Sequence, residues 1–371
     1  MVFSSLLAFM VCDNSRAPRV KDTNVDVVTA EDGEASMGGL LVHLRKFGAI
    51  VAIAFLCFGC SNAFLPDLEN NPWEVVHLDT EATFSDIAFT DDADHGWLVG
   101  SRSTLMETRD GGKTWAQRSL DLGDKGFTFT SVSFVGNEGW VAGQPQILLH
   151  TTNGGDTWER VPLSDKLPGK PFLITALADK EAELATDVGA IYRTRDGGQN
   201  WKGLVLGAVG VVRNMSRSPD GSYAAVSSRG NFYSLWSPGD LEWRPFNRES
   251  SRRLQNIGFD QDGGLWLLER GGQIQFSLTG EEEDWQEPIT PELATSWGFL
   301  DAAFRTSEEL WVSGGSGTLY FSPDDGLTWF KDADVDQVPS NLYRIIFNTP
   351  DQGFILGQNG YLLRYAGAQA A

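Results

Sequence analysis

The 371-residue chain predicts an all-β fold, a seven-bladed β-propeller whose N-terminal strand closes the last blade. Three observations carry that expectation. Tryptophans recur at 73, 115, 158, 201, 243, 285 and 329, in steps of 42 to 44 residues, the length of four short strands per blade. Four of them end one motif, Thr108 to Trp115 (TRDGGKTW), Thr151 to Trp158 (TTNGGDTW), Thr194 to Trp201 (TRDGGQNW) and Ser322 to Trp329 (SPDDGLTW), with worn copies ending at Trp243 (SPGDLEW) and Trp285 (TGEEEDW). Apolar residues come in short runs among 41 glycines, without any long stretch of 3.6-residue periodicity, so helices should be nearly absent.

The motif reads as a turn followed by an anchor. An Asp or Asn side chain can bond the backbone ahead of it, and Gly accepts positive φ. The Trp then buries a large apolar surface where the next strand begins. The pattern Ser/Thr-x-Asp-x-Gly-x-Thr-Trp resembles the Asp-box of sialidases and of many unrelated propellers, and its default role is structural.

In chain order, residues 1–36 lie outside the repeat and stay unassigned; a start at Met37 would leave them untranslated. Residues 37–60 read as a signal peptide, with Arg45 and Lys46 ahead of the apolar run Phe47 to Phe58. That run is short for a membrane span, and an uncleaved anchor is the competing reading. The only cysteines are 12, 57 and 60, so the repeats hold neither a disulfide nor a thiolate metal site. Leu56 to Cys60 (LCFGC) resembles a bacterial lipoprotein box, with Cys57 where Leu is usual. Cys60 is therefore the expected lipidation site, with ordinary cleavage near Ala63 as the alternative. Residues 61–71 form a polar linker that includes Pro66, and its eleven residues reach about 35 to 40 Å at most.

The propeller is expected over residues 72–366, with 367–371 as a tail. Inner strands, here strand a, are read at 84–89, 129–134, 173–178, 211–216, 254–259, 299–304 and 342–347. Strand b starts at 96, 139, 182, 222, 265, 310 and 353, strand c ends each time before the Trp motif, and that motif opens strand d. The seventh blade lacks its own strand d, while Asn71 to Leu78 (NPWEVVHL) is a strand d without a blade. Pairing it beside Tyr361 to Tyr365 would close the ring and remove two sheet edges.

Catalytic signatures are sparse. The four histidines, 43, 77, 95 and 150, have no metal-ligand spacing, and His150 beside an Asp-box reads as a satisfied structural residue. No nucleophile elbow, P-loop or dinucleotide fingerprint is present, and neither a metal nor a cofactor is expected. An Asp-box glycoside hydrolase of sialidase type, or a carbohydrate-binding propeller, is the alternative reading. Glycoside hydrolysis, however, needs two carboxylates about 5 to 10 Å apart, and nothing in the spacing singles out a pair among 50 acids. The Arg-Ile-Pro strand of sialidases is also missing, and the chain is read as no enzyme.

Charge is more informative. The net charge is −21, of which residues 1–59 contribute −1 through five basic and six acidic side chains. Nucleic acid is a poor partner for so acidic a chain. Yet Arg193 to Arg270 holds ten arginines and one lysine against eight acids. Because neighbouring strands are antiparallel, b–c and d–a connections share one rim. Arg229 and Arg270 fall in b–c turns, Arg248, Arg252 and Arg253 in a d–a crossing, and Arg213 early on a strand a near the same rim, with Glu249 and Glu269 beside them. Arg193, Arg195 and Arg217 belong to the other rim or its approaches. Arginine suits bidentate recognition of carboxylate or phosphate, so the rim is read as a binding face.

With its seven Asp-box blades, its exported N-terminus and the runs Arg217 to Trp236 (RSPDGSYAAVSSRGNFYSLW) and Asn247 to Phe259 (NRESSRRLQNIGF), the chain resembles the photosystem II stability and assembly factor family of cyanobacteria and plastids from about Cys60 to Tyr365. The resemblance implies a protein of the thylakoid membrane, peripheral on its lumenal side, that binds a newly made reaction-centre precursor in early photosystem II intermediates. It also implies an arginine patch, mapping here onto Arg213, Arg217, Arg229, Arg252, Arg253 and Arg270.

Overall fold

Frequent turns keep every strand to eight residues or fewer, and consecutive strands fold back as antiparallel hairpins. The computed structural model describes residues 65–123, 126–247, 252–291 and 298–367, and arranges these hairpins as seven sheets in chain order. Strand a of the successive blades spans Phe84–Phe89, Thr128–Val135, Pro171–Ala178, Val212–Arg217, Leu254–Phe259, Phe299–Phe304 and Leu342–Thr349. Among the described residues no α-helix occurs, only the 3-10 turns Glu282–Asp284 and Val335–Gln337.

The ring closes with its N-terminal strand. Trp73–His77 pairs antiparallel with Tyr361–Tyr365, Trp73 opposite Tyr365 and His77 opposite Tyr361. Trp73 is buried against Trp311 and Tyr365, at ring distances of 5.4 and 5.3 Å. Inside the ring, Arg344 of blade seven makes a second closure through its 3.3 Å ion pair with Asp86 of blade one.

Packing between blades explains the tryptophan period. The motif Trp of one blade meets the strand-b aromatic of the blade before it: Trp158 lies edge-on to Trp97, Trp201 to Trp140 and Trp115 to Phe354. Within the motif, Asp110 accepts the Thr114 amide (2.8 Å) and hydroxyl (2.6 Å), Thr108 Oγ1 accepts Gly112 N–H, and Trp115 Nε1 donates to Gly112 O. Asp196 and Asp324 are held the same way. Those hydrogen bonds pull Asp110 down to about 2.

All seven inner strands carry a register shift near their start, after the first residue in six of them and after the second, Phe129, in blade two. From the position beyond it, side chains reach the neighbouring blade. Asp86 accepts Val132 N–H, Ser131 Oγ accepts Ile174 N–H, and Asp301 accepts Ile345 N–H at 2.8 Å. Two histidines are locked between blades by buried glutamates, His95 with Glu107 at 2.9 Å and His150 with Glu138 at 2.6 Å. Glu138 also accepts the Lys180 amide of the next blade.

Blade five departs from the expected pattern. Its sheet has three strands, and the described segment after Trp285 pairs through the isolated bridge Ile274 to Ile289 and a Gln286 N–H to Phe276 O bond without forming a strand. The motif here has lost its Gly-Gly, the turn Glu282–Asp284 replaces it, and Pro288 offers no N–H to extend the ladder. The linker read over residues 61–71 is docked from residue 65 onward. Lys331 N donates to Pro66 O and Leu68 N to Lys331 O, so this stretch runs parallel to the outer edge of blade six, with Leu65 and Leu68 packed on its core.

Candidate functional site

Backbone hydrogen bonds gather the predicted arginines where blades four and five meet. The b–c turn of blade four, Ser228 to Gly230, carries Arg229 outward. Leu254 N donates to Gly230 O at 2.8 Å, which sets Arg253 beside that turn. Arg270 N donates to Arg253 O at 2.9 Å and adds the b–c turn of blade five. Gly230 has φ +66°, and a Cβ there would stand 2.3 Å from Leu254 O, so the close approach depends on glycine. Gly271 is held at φ +96°, and Arg252 Nη1 lies 3.3 Å from where a Cβ would sit.

Arg213 braces the group from below. Its guanidinium donates to Gln255 Oε1 at 2.8 Å and to Ser228 O at 3.1 Å, joining blade five to the turn that bears Arg229. Burial, then the charge of Arg270, lowers its pKa. Arg229, Arg252, Arg253 and Arg270 are exposed. Among the described residues, Arg229, Arg253 and Arg270 have no ion pair, whereas Arg102, Arg109, Arg193, Arg195, Arg244 and Arg344 each have at least one. Glu269 is buried at 1 % exposure, next to Arg270 in sequence.

Arg217, mapped onto the patch by family resemblance, is not brought there. Strand a runs away from the patch rim, so Arg217 at its far end reaches the opposite side, where its Nε meets Glu183 at 2.9 Å and its guanidinium covers Tyr223. Arg248 and Cys60 lie outside the described residues. Sequence reasoning passed over Gly230 and Gly271. The signal was an Arg-Gly pair repeated in equivalent b–c turns, Arg229-Gly230 and Arg270-Gly271.

This arrangement can bind an anion at several points. The Asp-box carboxylates that motivated a hydrolase alternative are committed to their own turns. No group of three or more His, Cys, Asp or Glu suited to a metal ion occurs among the described residues.

The family described as photosynthesis system II assembly factor YCF48 matches residues 65–366. The chain belongs to that family. The photosystem II assembly lipoprotein Ycf48 of Synechocystis sp. is 63 % identical over 323 residues, covering 87 % of this chain and 94 % of that protein. A solved structure described as YCF48 bound to D1 peptide superposes with a TM-score of 0.79 at 54 % identity, over 82 % of this chain and all of that one. YCF48 from Cyanidioschyzon merolae gives 0.75 at 40 % identity, over 79 % of this chain and 98 % of that one. The family resemblance read from the repeats and the arginine-rich run thus holds, as does the propeller.

Proposed function

We propose that this photosystem II assembly factor works by binding rather than catalysis, holding an acidic segment of the newly made D1 precursor on the face formed by Arg213, Arg229, Arg252, Arg253 and Arg270, with Arg248 in the adjoining crossing. The observation that carries the reading is that Arg229, Arg253 and Arg270 lie together without ion pairs among the described residues, in a chain of net charge −21. Like charges held side by side repel, and a partner bringing carboxylates relieves that repulsion. A relative bound to a D1 peptide supports the choice of partner. Each exposed Arg–carboxylate contact contributes about 0 to 1 kcal/mol, so single substitutions should be mild and a combined one severe. The test replaces Arg229, Arg252 and Arg253 together by Gln and measures melting temperature and capture of D1 precursor in early intermediates. Lost capture with an unchanged melting temperature is expected, and unchanged capture ends the reading.

We also propose a signal segment over 37–60, a linker from 61, a propeller over 72–366, and attachment through a lipid on Cys60 to the lumenal side of the thylakoid membrane. A relative named as a lipoprotein supports attachment. Cys60→Ser should move the protein to the soluble fraction, because stable residence needs the acyl chains. Intact mass of an unmodified chain starting beyond Cys60 would refute it.

A further inference from the structure

The loop between blades three and four, Leu204 to Val211 (LVLGAVGV), contains no polar side chain, which is unusual for an eight-residue surface connection. Leu204, Val205 and Val209 turn inward onto the core of blade four. Leu206 and Val211 do not; they are 77 % and 58 % exposed. The loop is pinned at both ends, by Leu206 N to Leu241 O at 2.9 Å and by Ser228 N to Val211 O at 2.9 Å. The second bond sets Val211 directly beside the turn that carries Arg229. Space above the loop is open, since a Cβ added at Gly207 or Gly210 would meet nothing within 4 Å.

We infer that this loop is an apolar shelf for the same partner segment that the arginines hold, and that the segment carries an aliphatic or aromatic side chain next to its carboxylates. The inference rests on the arginine reading above. Charge complementarity selects the occupant: an acidic extended chain crossing from Arg253 past Arg229 would meet Val211 next, with Leu206 farther along the loop where its N–H bonds Leu241 O of blade four. Guanidiniums hold many acidic peptides alike, whereas a fixed apolar contact at one end sets register and discriminates among them. A bilayer fits less well, because interfacial anchors present a continuous apolar face with aromatic residues, whereas the exposed large apolar side chains here are the aliphatic Leu206, Val211 and the adjoining Leu241.

The test is Leu206→Ser with Val211→Thr in the full chain, titrated with a D1 peptide by calorimetry at several salt concentrations. Affinity should fall about five- to twenty-fold, with a less negative heat-capacity change, an unaltered slope of affinity against salt and an unchanged melting temperature. Affinity within two-fold of the unsubstituted chain would overturn the inference and leave the arginine reading standing. So would a loss of binding to phosphatidylglycerol vesicles while peptide binding is kept, which would make the loop a lipid contact. If instead the loop variant loses peptide affinity while the triple Gln variant keeps it, the arginine reading falls, and with it the inference that loop and arginines share one segment.

Discussion

Single side chains in this propeller are set by what burial leaves unmatched. Asp332 is 1 % exposed; one oxygen accepts Val335 N–H at 3.2 Å and the other has no hydrogen-bond partner. Burial, with the nearby Asp334 and Asp67, pushes its carboxyl up to about 6. Asp301 is raised to about 6 by burial too, although Ile345 N–H and Arg344 oppose the shift. An acid whose folded value lies above the ordinary 3.8 favours the folded state fully below that value, and the benefit disappears as pH rises through about 6. Both groups therefore make the propeller relatively more stable at pH 5 than at pH 7.5. Asp332→Asn should raise the melting temperature by about 2 to 4 °C at pH 7.5 and change it little at pH 4; a variant less stable at pH 7.5 contradicts this. Asp110, lowered to about 2 by Thr114, works the other way and withdraws its support only in strong acid. None of this was legible in the sequence, because Asp332 sits in a loop whose burial is decided by residues far from it in the chain.

Elements were more legible. The tryptophan interval marks where each blade meets the one before it, so counting tryptophans counted interfaces and predicted both the blade number and the closing strand. Trp73→Ala should cost about 3 to 5 kcal/mol, as loss of a buried aromatic does, and removal of residues 72–78 should expose Tyr361–Tyr365 and cause concentration-dependent aggregation visible by light scattering. A monomeric deletion variant with unchanged melting would contradict that. Strand d of blade five escaped, since a Trp alone cannot build a strand once the Gly-Gly turn is lost and Pro288 interrupts the ladder. The docking of residues 65–68 escaped as well, for it depends on an exposed edge at Lys331 and two leucines without periodicity. Leu65→Ser with Leu68→Ser should free this stretch and speed proteolytic cutting ahead of residue 72, with the propeller core still resistant.

For the whole molecule, charge distribution matters more than any one contact. An acidic chain repels most anionic surfaces and partners, whereas the rim where Arg229, Arg252, Arg253 and Arg270 face outward attracts them. Strand direction placed these residues on one rim and Arg217 on the other from sequence alone, because alternation fixes which loops are neighbours. What direction could not reveal is Arg213 as a brace, since its partners Gln255 and Ser228 come from two blades. The most direct test of the account is the affinity for a D1 peptide measured against ionic strength, for the chain as it stands and for the variant with Arg229, Arg252 and Arg253 replaced by Gln. The account predicts that affinity falls steeply with salt in the first and that the variant binds weakly with a much flatter dependence. Two parallel lines of equal affinity would contradict it.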